Sequence, residues 1–128
     1  MQKMSLTALA RERLLASRSA SSGRSAQTVF GGHEQVLHQT LIAMAAGQEL
    51  GEHDSPGEAT LQVLHGRVRQ ATTEASWDGS AADLLIIPRA RHSLRALEDA
   101  AVLLTVAKIG WVGDRAGLRN AGPAVFLR

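Results

Sequence analysis

The sequence predicts an all-β sandwich or barrel preceded by one short helix. Three observations carry that prediction. From Thr28 onward the apolar residues fall in short runs separated by Gly, Pro and Asp, the texture of an antiparallel β protein. The turn signals recur at roughly ten-residue intervals, as in sandwiches and small barrels. The chain has 128 residues with 45% hydrophobic residues, the size and balance of a single domain. Aromatics make up 3% of the sequence, Phe30, Trp77, Trp111 and Phe126 with no Tyr, so the core must be aliphatic.

The elements follow in order. Leu6, Leu9, Ala10, Leu14 and Ala16 keep helical spacing among Arg11, Glu12 and Arg13, which predicts an amphipathic helix over 5–17 with Ser5 or Thr7 as N-cap. The Ser/Gly/Arg-rich stretch 17–25 has no apolar period and reads as a linker or extended arm. Strands are predicted at 28–31, 35–45, 59–64, 67–73, 83–87, 92–96 and 101–108. Between them stand Gly31-Gly32, the stretch Gly47 to Gly51, Ser55-Pro56-Gly57, His65-Gly66, Asp78-Gly79 and Glu98-Asp99. Trp77, beside Asp78-Gly79, reads as a hairpin packing residue. The unbroken run Leu84-Leu85-Ile86-Ile87 predicts a strand covered on both faces. The chain therefore divides into a helix and arm (1–26), a barrel (27–108) and a Gly-interrupted tail (109–128). In that tail Val125, Phe126 and Leu127 either add an edge strand or belong to a disordered end.

Charge narrows the partners. Fourteen Lys and Arg against twelve Asp and Glu leave a net charge of +2, and the isoelectric point near 9.9 reflects a shortage of groups that titrate at intermediate pH rather than a basic surface. Near-neutral charge and few aromatic side chains argue against nucleic acid as the partner. Without cysteine there are no disulfides, thiolate metal sites or cysteine nucleophiles. No run approaches the roughly 18 apolar residues of a membrane span, and the N-terminus lacks a signal-peptide apolar region. The expectation is a cytoplasmic protein that does not bind membranes.

Two motifs carry chemistry. The first, GQELGEHDSPGEATLQVLHG from Gly47 to Gly66, resembles the first motif of the cupin superfamily, with Gly47, His53 and Gly66 in register. Ser55 stands at that motif's second His and Ala59 at its Glu. The second, ADLLIIPRARH from Ala82 to His92, is similar to the second cupin motif. Pro88 and His92 match, Ala82 and Ala90 replace glycines, the spacing to His92 is one residue shorter, and Ala96 holds the usual Asn position. The resemblance implies a cupin-like jelly-roll β-barrel. It also implies that three His and one Glu hold a divalent metal in typical relatives, and this chain keeps two of those four ligands.

The residues read by themselves support a convergent site. His53 and Ser55 are two apart on an extended segment and share a face, and a later strand can bring His92 to them. His38 joins as a third interior imidazole if its parity matches Thr40 and Ile42. Glu58 is one residue out of phase with the missing Glu, and the Pro56-Gly57 turn could bring its carboxylate inward. The candidate ligand-binding residues are thus His53, Ser55, Glu58, His92 and His38. His53 and His92 are the candidate ligands of a Zn, Fe, Mn or Ni ion, short of the three protein ligands such ions ordinarily use.

Three functions compete on these residues. The first is binding of a small, anionic molecule by the pocket with a degenerate metal site or no metal. The second is a metal-dependent oxygenase or isomerase using His53 and His92, and the third a regulatory or accessory interaction module. Ser55 next to His53 makes a weak nucleophile arrangement, because no oxyanion element accompanies it. The pairs Arg67/Arg69 and Arg89/Arg91/Arg95 fit either an anion at the barrel mouth or a solvated strand face. Exposed edge strands and the helix favour a homodimer.

Overall fold

The computed structural model describes residues 2–53 and 58–107. Ser55 and the tail from residue 108 onward, including the expected terminal strand, lie outside the described residues.

Helix α1 (Leu6–Ser19) is capped by Ser5, whose Oγ accepts from the Ala8 N–H at 3.1 Å. That bond satisfies one of the amide donors a helix start leaves over. Strands β1 (Arg24–Phe30), β2 (Leu37–Met44), β3 (Glu49–His53), β4 (Glu58–His65) and β5 (Arg67–Ala71) follow. Then come β6 (Ser76–Ser80), β7 (Leu84–Ile86), β8 (His92–Ala96) and β9 (Ala100–Ala107). They form a five-stranded sheet ordered β1-β2-β9-β4-β7 and a four-stranded sheet ordered β3-β8-β5-β6, all pairs antiparallel. The inner faces meet in one aliphatic core that includes Ile42, Met44, Leu61, Val63, Val68, Leu94, Val102 and Leu104. The expected all-β architecture with one short N-terminal helix is the observed one.

A second, smaller cluster lies on the opposite side of the five-stranded sheet. There Ala10 and Leu14 of α1 pack on Leu41, Ala43 and Ala101. Strands β2 and β9 therefore bury both faces, which explains the unbroken burial of Leu41 to Met44 and of Ala100 to Leu104. The run expected to be covered on both sides, Leu84 to Ile87, is not. Leu85 and Ile87 enter the core, while Leu84 and Ile86 are 58% and 64% exposed. The reason is position: β7 is the sheet edge, beyond the reach of α1, and β2 and β9 run beneath the helix.

Three further expectations change. The stretch read as a linker holds the last turn of α1 and the start of β1. There Arg13 donates to Ser25 Oγ at 2.9 Å and Arg24 to the Glu49 carbonyl at 3.4 Å. The stretch Gly47 to Gly51, read as punctuation, contains the first residues of β3. Asp78-Gly79 is not a turn but the middle of β6, and Trp77 lies on that strand, half-buried against the core. Asp78 is there because it pairs with Arg69 across the strands at 2.8 Å. Gly79 is there because a Cβ would come within 3.2 Å of Leu85 and Val63. It is a glycine of close approach rather than of reversal. The chain reverses instead at 72–75 and at 80–83.

Ala82 sits in that second reversal at φ +77°, the left-handed region, which costs a side chain with a Cβ about 1–2 kcal/mol. It is the position at which the second motif carries Gly. Ala82→Gly should therefore raise stability by about 0.5–1 kcal/mol, after the greater freedom of glycine in the unfolded chain is set against the relieved strain. Urea unfolding measures it, and a destabilised variant would show that the turn is not strained.

Candidate functional site

The two ends of the barrel differ. At one end stand the turns at 45–48 and 97–99, and Gly66 between β4 and β5. Asp99 ties these together, accepting from the Ala46 N–H at 2.8 Å and from Arg18 of α1 at 2.9 Å. Those two hydrogen bonds hold its carboxyl below the usual carboxylate range, the backbone bond contributing most. At the other end β3 stops, β4 starts, β5 stops, β8 starts and β9 stops. That end is the mouth.

The polar side chains of the barrel interior collect toward the mouth. His92 opens β8, is 2% exposed and places Nδ1 2.8 Å from the Ala90 carbonyl. In a neutral ring that bond makes Nδ1 the donor and Nε2 the acceptor nitrogen. Gln70, near the end of β5, is 1% exposed and donates through Nε2 to the Ile86 carbonyl at 3.2 Å. This bond satisfies a carbonyl of the edge strand β7 and ties the two sheets together. Thr40 on β2 is buried on the same inner face as Ile42 and Met44. His38, two residues nearer the mouth, is half-buried with Nε2 3.0 Å from the Gln35 carbonyl. Its parity is the one required of an interior imidazole. Deeper in the barrel the inner face is aliphatic, with Met44, Val68, Ala96, Ala100 and Val102 fully buried.

The remaining candidates fall as follows. The backbone of His53 lies directly opposite His92 in the β3–β8 ladder, after an irregularity between Leu50 and His53. Glu58 is exposed at the start of β4, and its neighbour Ala59 is 7% exposed and packed in the core. The strand thus turns the carboxylate outward and a methyl group inward, and the out-of-phase Glu58 is not recruited. Arg67, Arg69 and Arg95 lie on the outer face of the four-stranded sheet, paired with Asp78, Glu98 and Glu49. The Arg69 guanidinium also holds the Asp78 carboxyl below its usual range. These arginines belong to a solvated face, not to the mouth. Gln70 is the residue that sequence reasoning missed. Its signal was parity, since Val68 and Gln70 alternate with Arg67 and Arg69, so a face with arginines outside puts the glutamine inside.

No family profile and no curated protein matches the chain. Solved structures do. A cupin superfamily protein from Desulfitobacterium hafniense superposes with a TM-score of 0.67 at 14% identity, covering 83% of this chain and 90% of its own. An RmlC-like cupin from Desulfovibrio desulfuricans gives 0.59 at 26% identity, covering 66% and 82%. The protein has the cupin fold. The salicylate 1,2-dioxygenase of Pseudoaminobacter salicylatoxidans, in the structure of a mutant form, matches with a TM-score of 0.62 at 17% identity over 77% of this chain and 31% of that one. The cupin barrel therefore also occurs inside an enzyme, though fold alone transfers no activity.

Cupins commonly bind a divalent metal, and the residues here fit that group poorly. At the four positions of the usual ligands this chain has His53, Ser55, Ala59 and His92. The methyl of Ala59 occupies core space where a carboxylate would be needed. Among the described residues no three His, Asp or Glu side chains gather as a metal site. Two imidazoles fall short of the three protein ligands that such sites ordinarily use.

Proposed function

We propose that this cupin barrel binds a small anionic molecule at its mouth through His92 and the polar groups around it, without requiring a metal. The observation that carries the reading is the segregation of polar side chains. The buried polar residues of the barrel, Thr40, Gln70 and His92, stand toward the mouth above an aliphatic floor. That is the composition of a small-molecule pocket, mostly apolar with a few placed polar groups. His53 enters the reading through its register position opposite His92. Arg89 and Arg91, exposed on the loop that leads into His92, supply positive charge at the rim, which favours an anion over a cation.

Amide NMR of the full chain tests this with acetate, succinate and benzoate as probes at millimolar concentration, alongside elemental analysis of the purified protein. The reading expects shifts clustered at His38, Thr40, Gln70 and His92 with at least one probe, lost in His92→Leu. Absence of shifts with all three probes, or shifts centred elsewhere, overturns it. Near-stoichiometric metal that disappears in His92→Ala would overturn the metal-free part and bring the oxygenase or isomerase reading forward.

A further inference from the structure

Outside the barrel, a cleft of about 260 Å³ opens between the first turns of α1 and the end of β4. Its walls follow from helical spacing and from one irregularity in the sheet. Leu6, Ala10 and Leu14 recur every four residues and so share one face of α1, while Thr7 and Arg11, also four apart, stand one position round at the rim. On the sheet side Val63 pairs with Val102, but His65 rather than Leu64 pairs with Ala101. The extra residue makes a bulge, which re-aims the side chains beside it, and both Leu64 and His65 line the cleft. The floor is therefore apolar, with Ala10 and Leu14 buried and Leu6 and Leu64 half-buried. The rim is polar and exposed: the Arg11 guanidinium, the His65 imidazole and the Thr7 hydroxyl.

We infer that this cleft is a second binding site, separate from the barrel mouth, and that its occupant is a small alkyl carboxylate with the chain on the apolar floor and the carboxylate at Arg11 and His65. Charge selects the occupant. No carboxylate lines the cleft among the described residues, and the ion pairs there engage Arg18, Arg67, Arg69 and Arg95 but not Arg11. Asp99 lies close enough to His65 for their charges to interact, yet its two oxygens already accept from Arg18 and from the Ala46 N–H. A guanidinium offers a carboxylate paired donors, and a ring N–H adds another. The chain's own remaining side chains have the wrong sign. Residues 108–128 carry Lys108, Arg115, Arg119 and Arg128 against Asp114 alone, and residues 2–5 carry Lys3. A second copy placed symmetrically on the cleft would set Arg11 against Arg11, a like-charge contact. Size excludes an acidic peptide. The cleft lies below the roughly 300–1,000 Å³ of drug-sized ligand sites and holds about eight to ten groups of water size, at roughly 30 Å³ each.

Amide NMR of the full chain tests this with sodium octanoate and octylammonium chloride, which share a chain and differ in the sign of the head group. Octanoate should shift the signals of Thr7, Ala10, Arg11, Leu64 and His65, saturating with a Kd on the order of 1 mM, the scale expected of a ten-atom ligand. Octylammonium should bind about tenfold more weakly or not at all, because its charge repels Arg11. Arg11→Glu should weaken octanoate about tenfold while unfolding in urea at the wild-type midpoint, because the side chain is exposed. Arg11→Gln, which removes the charge without reversing it, should weaken octanoate severalfold and serves if the reversal does not fold. Absence of saturable shifts up to about 10 mM octanoate, ten times the expected Kd, would overturn the inference. So would equal binding of octylammonium, or wild-type affinity in the folded Arg11 variant. Shifts confined to His38, Thr40, Gln70 and His92 would overturn it as well, by assigning the anion to the barrel mouth.

Discussion

Gly66→Ala is expected to destabilise the protein by about 3–5 kcal/mol, enough to unfold much of a marginally stable domain at ambient temperature. Gly66 joins β4 to β5 with φ +78°, in the left-handed region. An alanine there would lose about 1–2 kcal/mol to conformation alone. The larger part is steric. Its Cβ would overlap the Asp99 carbonyl oxygen and lie 3.0 Å from Ala100 Cα. Both are backbone atoms at the start of β9, so neither can rotate away as a side chain would. Asp99 is also the residue that anchors α1 and the β2–β3 turn through Arg18 and the Ala46 N–H, so displacing it loosens three elements together. Gly47 supplies the internal comparison. Its φ is +87°, yet a Cβ there meets nothing within 4 Å. Gly47→Ala should therefore cost only the conformational part, about 0.5–1 kcal/mol once the smaller freedom of alanine in the unfolded chain is set against the strain. Urea unfolding of both variants measures the difference, and equal losses would show that the contact with Asp99 is not what constrains Gly66.

Leu104→Ala should cost about 3–4 kcal/mol, within the range for a large aliphatic side chain removed from a close-packed core. Leu104 is fully buried in the middle of β9, with Thr40 beside it on β2 and Leu61 beside it on β4. Strands β2, β9 and β4 share the most extensive pairing in the molecule, so the backbone around Leu104 has little freedom to close over a void. The void would also open just beneath the mouth, next to Thr40. The variant that keeps its fold should therefore shift the amide signals of Thr40 and Leu61 and leave those of Ala46 and Asp99 in place. A loss below about 1 kcal/mol, as for an adaptable or exposed site, would mean that the site collapses and that the central strands are less rigid than their pairing indicates.

The motif glycines were legible because their reason is local. A reversal that needs positive φ favours a residue without Cβ wherever it occurs, and Gly47 and Gly66 stood both as turn punctuation and as the glycines of the first motif. The same conformation occurs at Ala82, where the chain makes a left-handed turn without a glycine. His92 was legible through its match to the second motif, and its alternation with Leu94 and Ala96 sends it inward. The Asp78-Gly79 pair misled because Asp-Gly is a strong local reversal signal. Its actual determinants are Arg69 on the neighbouring strand and Leu85 and Val63 on the far side of the core. Gln70 went unnoticed because its partner is the backbone carbonyl of Ile86, a contact that exists only once β5 and β7 face each other.

By itself the sequence determined the β architecture with its leading helix and the glycine turns, since these follow from periods of two and 3.6 and from backbone conformation. Only the tertiary structure decided which strands are buried on both faces. Leu41 to Met44 and Leu84 to Ile87 are equally continuous apolar runs, yet α1 covers the first and nothing among the described residues covers the outer side of the second. It likewise decided that Glu58 points away from the barrel while Gln70 points into it. Burial of a face depends on what packs against it, and that partner comes from a distant part of the chain.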